Sequence, residues 1–178
     1  MDLDELDSAL LVLLQEDASR TNKELAQRLN IAPSTCLERV RALRRRGVIH
    51  GYHADVDLTL VGRPVQALVA VRLRPPDRAV IDSFQNFVSD LPEVLSLFVV
   101  SGTDDFLIHV AVRDTEHLND FILDGLTQRR EIVDIRTSLV FRHFRRTAVT
   151  PGGRPEGARA AQKGTSIPAS VSRARRAT

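Results

Sequence analysis

A single cysteine in 178 residues, Cys36, excludes an intramolecular disulfide and any metal cluster built on cysteine. Its helical phase predicts a core thiol, with a redox switch as the alternative. No run of 18 apolar residues occurs, and the apolar run at residues 9–14 is far too short to span a membrane. No secretory leader is recognisable, so a cytoplasmic protein is expected. Enzyme motifs are missing as well. The five histidines, His50, His53, His109, His117 and His143, form no HExxH pattern, Ser101 and Gly102 lack the Gly-x-Ser-x-Gly elbow, and there is no Walker loop or Gly-x-Gly-x-x-Gly. Neither catalysis, a metal nor a cofactor is expected.

What the chain does have is concentrated at residues 22–51, NKELAQRLNIAPSTCLERVRALRRRGVIHG. Leu25, Ala26 and Leu29 share one helical face, and the residues up to Pro33 end that helix, since proline disfavours the α region before it and suits a helix's first turn. A second helix is predicted from about Pro33. Its Cys36, Leu37, Val40 and Leu43 face a core, while Ser34, Thr35, Glu38, Ala42 and Arg45 fall opposite at about 100° per residue. Small polar groups early in a helix, followed by cations, are what a DNA-reading helix needs: the first approach base edges and the second hold phosphates. A solvated basic helix of any globular protein is the competing reading. Context favours the first. Leu3, Leu6, Leu10, Leu13 and Leu14 supply a third helix, Gly47 can end the reading helix in the left-handed conformation, and residues 48–54 read as a short hairpin wing. The whole is a winged helix-turn-helix over residues 1–54.

The strings LDELDSALLVLL, NKELAQRLNIAPSTCLERVRALRRRGVIHGYHADVD and VSGTDDFLI, in that order, resemble the Lrp/AsnC family of feast/famine transcriptional regulators over about residues 2–146. One departure is Ala32, where a serine cap is common; its absence should cost roughly 1 kcal/mol of capping. In the division of labour expected here, Ser34, Thr35 and Glu38 reach base edges, Arg39, Arg41, Arg45 and Arg46 contact phosphates, and Tyr52 or His53 lies beside the backbone.

After a connector at residues 55–63, residues 64–146 follow the order β, α, β, β, α, β, a ferredoxin-like α+β sandwich. Val65, Ala67, Val69, Val71 and Leu73 alternate as one strand, and Phe106, Ile108, Val110 and Val112 share a face of another. Ile135, Thr137, Leu139 and Phe141 alternate in the last. Val80, Ile81, Phe84, Phe87, Val88 and Leu91 form one helical stripe, and Leu118, Phe121, Ile122 and Leu126 a second. With both helices on one sheet face, the other carries Leu68, Ala70, Phe98, Val100, Leu107 and Val140, for which a partner subunit is the simplest cover. The resemblance implies dimers that assemble further, often into octamers, and hence roughly palindromic sites on double-stranded DNA.

The turn at residues 100–106 is the second signal. Gly102 allows close approach, free amides can receive a carboxylate, and Asp104 or Asp105 can accept an ammonium group, the pair needed for a zwitterionic amino acid. Gly-Thr-Asp-Asp is also an ordinary hairpin turn. The resemblance favours the pocket: it implies an amino-acid effector site between subunits, lined by Ser101, Gly102, Thr103, Asp104, Asp105 and Phe106, with an opposite wall from a neighbouring chain near Gln128 and residues 136–138, including Thr137.

Residues 147–178 hold six basic residues against one Glu156, a net +5 that leaves −3 elsewhere. Rich in Pro, Gly, Ala and Ser, this tail is expected to be disordered. Nearly all cations are arginine, only Lys23 and Lys163 being lysines, a usage that suggests a GC-rich bacterial genome. Three readings stand: an amino-acid-responsive regulator of amino-acid metabolism, acting at the nucleoid; an architectural DNA-compacting protein with weak sequence preference; and a small-molecule-binding module whose winged helix serves protein contacts. The arginine cluster argues against the third.

Overall fold

Two side-chain caps and a proline set out the first unit of the computed structural model, which describes residues 3–150 other than Pro76 and Thr147. Asp4 accepts from the Asp7 amide at 2.7 Å and opens α1, Glu5–Glu16. Thr21 and Glu24 form a reciprocal capping box on α2, Asn22–Arg28. The third helix, α3, Pro33–Arg45, starts with proline in its first turn, and Ala32 supplies no side-chain cap, as its chemistry requires. Asn30, at φ 53°, makes the turn between α2 and α3, and the Asn22 side-chain amide donates to the Pro33 carbonyl at 2.7 Å.

The core of this unit is Leu10, Leu11, Leu14, Leu25, Ala26, Cys36 and Leu43. Two expectations change. The buried stripe of α1 is Asp7, Leu10, Leu11 and Leu14, a spacing of i, i+3, i+4, i+7, so Leu6 and Leu13 are only half-buried. Leu37 lies at the stripe's edge and is 38% exposed. Cys36 is fully buried, as the core reading required.

Gly47 takes φ 69° and closes α3: its amide donates to Arg44 and the Val48 amide to Leu43, a Schellman pair. The Ile49 amide also turns to Leu43, and both side chains pack on the core. The hairpin expected over residues 48–54 is therefore not formed. Its first two amides are spent on the helix end, and residues 51–57 run without a ladder.

The second unit is Gly51–Arg146. Asp57 holds the Thr59 and Leu60 amides in an Asx turn. Then follow β1, Val65–Leu73; α4, Arg78–Ser89; β2, Val94–Val99; β3, Phe106–Val112; α5, Thr115–Asp120; and β4, Ile132–Leu139. The sheet order is β2-β3-β1-β4, every neighbour antiparallel, as the ferredoxin-like pattern requires. Ala67, Val69, Val71 and Leu73 of β1 and Phe106, Ile108, Val110 and Val112 of β3 are fully buried against α4 and α5. The Phe84 and Phe106 rings meet at 4.9 Å. Burial of each of these side chains other than Ala67 contributes about 1.5–3 kcal/mol.

Two features were not expected. Helix α5 continues as a π-helical turn, Phe121–Leu126, whose five-residue spacing puts Phe121 and Leu126 on the same buried side. And β4 stops at Leu139: the Val140 amide makes the last bond to Gln66, and Phe141 is 92% exposed rather than in strand alternation. Most of the 147–178 tail lies outside the described residues; Val149 exchanges two 3.0 Å hydrogen bonds with Gln15.

Candidate DNA-reading surface and effector loop

The helical phase that buries Cys36 and Leu43 turns the opposite side of α3 to solvent. There Ser34, Thr35, Glu38, Arg39, Ala42 and Arg45 line one shallow open groove, so the residues expected to read bases do share a face. Among the described residues Arg44 and Arg45 have no ion-pair partner, and Arg41 pairs at 3.3 Å with exposed Glu38.

Arg39 and Arg46 are used differently from expectation. Arg39 donates to Asp4 at 2.6 Å and Asp7 at 2.8 Å, and Arg46 lies 3.4 Å from the other oxygen of Asp7. The Asp7 amide and then Arg39 hold the Asp4 carboxyl below its usual range, and the Asp4 and Asp7 carboxylates raise Arg39. In the DNA-free chain these two cations, expected at phosphates, are engaged with α1, which they tie to α3. The signal in the sequence is Asp7, an acid on the apolar stripe of α1. Tyr52, expected on a wing, is 44% exposed at the start of the second unit, in a segment without a ladder.

In the loop between β2 and β3, Ser101, Gly102 and Thr103 are exposed and Gly102 takes φ 125°, a conformation that favours glycine. Asp104 is bonded by Arg136 of β4, which also reaches Asp134 at 3.0 Å. An acid and a base thus stand together at this corner. Asp105 serves the backbone: its carboxylate accepts from the Leu73 amide at 2.7 Å, and its own amide donates to Val71. Phe106 is fully buried, and its side chain belongs to the core. Thr137 pairs with Val69 and so points to the helix-covered face, exposed at the sheet edge, and Gln128 follows the π-helical turn. Within one chain neither bonds to the loop.

On the outer sheet face Leu68, Phe98, Leu107 and Val140 line a groove with Gln66, Ser96, His109, Arg142, His143 and Arg145. His109 is hydrogen-bonded to Gln66 at 3.0 Å and meets His143 edge-on at 5.4 Å. Burial, then His143, lowers its pKa. Among the described residues no three metal-ligating side chains converge, and no helix is long and apolar enough to cross a membrane.

A three-helix reader with a cationic groove, followed by a sheet domain with a polar corner, is the build of a DNA-binding regulator with a separate sensing domain. Residues 3–50 match the model of a winged helix-turn-helix DNA-binding domain, and residues 66–150 that of the Lrp/AsnC ligand binding domain. The chain is 41% identical over 144 residues to the HTH-type transcriptional regulator AldR of Mycolicibacterium smegmatis, covering 81% of this chain and 84% of that one. It is 35% identical to the transcriptional regulator AzlB of Bacillus subtilis, covering 84% and 95%. Its fold matches the transcriptional regulator NMB0573 of Neisseria meningitidis, solved as an L-Met complex, with a TM-score of 0.78, 32% identity and coverage of 84% and 97%. The chain belongs to the Lrp/AsnC family and is a DNA-binding transcriptional regulator.

Proposed function

We propose that this regulator binds specific DNA sequences through α3 and that a free amino acid, held at the corner of Asp104 and Arg136, changes that binding. The observation that carries the reading is the exposed face of α3, where small polar groups precede Arg44 and Arg45, which have no ion-pair partner among the described residues. Ser34, Thr35 and Glu38 read base edges, and Arg41, Arg44 and Arg45 hold phosphates. At the corner, Arg136 suits a carboxylate and Asp104 an ammonium group, while Ser101, Gly102 and Thr103 offer exposed backbone. The NMB0573 complex with L-Met supports an amino acid as the effector class. Gln128 and Thr137 fit this scheme as contributions from a second copy.

A second copy also suits the outer sheet face. Dimerisation there brings two reading helices to DNA and favours a roughly palindromic site; association of dimers into octamers completes the scheme. The output is occupancy of promoters of amino-acid metabolism, in the cytoplasm at the nucleoid, with no catalytic step. A coupling of about 1–3 kcal/mol between effector and DNA is the usual size.

The experiment is a thermal-shift screen of the purified chain against the twenty amino acids, followed by DNA binding with and without the hit. One selective shift, lost in Asp104→Asn and accompanied by altered affinity for a selected site, is expected. Intact DNA binding with no shift from any amino acid would overturn the sensing half and favour an architectural DNA-compacting role.

A further inference from the structure

Asp7 stands where the α1 stripe calls for an apolar residue, and it is 7% exposed. One of its oxygens takes Arg39 and the other Arg46, while Asp4 takes Arg39 from the helix cap. Arg39 borders the groove of the base-reading side chains, yet its guanidinium is turned into α1. Arg44 and Arg45, in the last turn of the same helix, carry no such partner among the described residues. The difference matters because phosphate binding gains affinity by releasing condensed counterions from DNA, one for each cation that comes to a phosphate. A guanidinium already held by two fixed carboxylates must abandon a nearly buried partner to do so, leaving that charge unpaired and poorly hydrated.

We propose that Asp4 and Asp7 act as a fixed counter-charge on the recognition helix, keeping Arg39 and Arg46 off the phosphates so that sequence-independent affinity stays low and discrimination between sites stays high. Both are positioning residues: they act on DNA binding through the arginines. The proposal rests on α3 being the helix that meets DNA.

The test measures affinity of the full chain for a selected duplex and for a random-sequence duplex across about 50–300 mM salt. Arg45→Gln is expected to flatten the logarithmic salt slope by about 0.9 for each helix engaged, and Arg39→Gln to leave the slope unchanged. Asp7→Asn is expected to steepen it by about 0.9 for each arginine released, to raise random-duplex affinity roughly tenfold at about 0.1 M salt, and to lower the specificity ratio. Equal flattening by Arg39→Gln and Arg45→Gln would overturn the proposal. So would an Asp7→Asn variant that binds both duplexes more weakly at an unchanged slope, the signature of a mere brace. If Asp7→Asn does not fold, Asp4→Asn, which removes the exposed half of the counter-charge, is read in its place: a steeper slope supports the proposal and an unchanged one overturns it. A slope indifferent to Arg45→Gln overturns the reading of α3 itself, and the counter-charge with it.

Discussion

The carboxylate of Asp105 accepts from the Leu73 amide one rung beyond the last β1–β3 pair, Val71 with Phe106, and so finishes the ladder where the backbone alone cannot. Asp105→Ala leaves that amide without its acceptor and is expected to cost about 1–3 kcal/mol, whereas Asp105→Asn, which keeps a carbonyl oxygen, should cost less. Urea unfolding of both variants checks this, and equal losses would contradict it. At this scale the sequence was partly legible. Ser34, Thr35, Glu38 and Arg45 were placed by helical phase, which needs only their spacing. The roles of Arg39, Arg46, Asp105 and Phe106 were not, because each is decided by a partner from another element: α1 for the arginines, β1 for the aspartate and α4 for the ring.

Among the elements, α3 begins on a residue with cap geometry but no cap. Ala32 sits at φ −67° and ψ 142°, the extended conformation from which a hydroxyl reaches the next turn's amides. Ala32→Ser is accordingly expected to stabilise the first unit by about 0.5–2 kcal/mol without altering its fold, measured as a raised unfolding midpoint. No gain would mean that those amides are already well solvated. The existence of nearly every helix and strand was legible from apolar period, and so were the helix-covered faces of β1 and β3. Boundaries set by backbone bonding were not. The paired wing gave way to the capping bonds of Val48 and Ile49, and the wide turn at Phe121–Leu126 shows no apolar period distinct from that of an α-helix.

At the scale of the whole molecule, the outer sheet face makes stability depend on pH. His109 of β3 is faced by Gln66 of β1, with Ser96, Asp55, Arg142, His143 and Arg145 lining the same groove, two arginines against one carboxylate. Its lowered pKa means that the unfolded chain binds the proton more readily than the folded one. Stability is thus present above the ordinary histidine value of 6.5 and is lost as pH falls below it through the depressed folded value. Melting of the second unit is expected to shift downward between about pH 7.5 and 5.5, and His109→Gln to flatten that dependence; an identical slope in the variant would remove His109 as its source. The division at residue 51 has another consequence. The chain has no tryptophan, its one cysteine lies in the core of the first unit, and its one tyrosine, Tyr52, lies in the second. Burial pushes the Cys36 thiol up and shields it, so disulfide reagents can reach it only when the DNA-reading unit opens. Thiol labelling therefore clocks the opening of the first unit in the unmodified chain, whatever the second unit does.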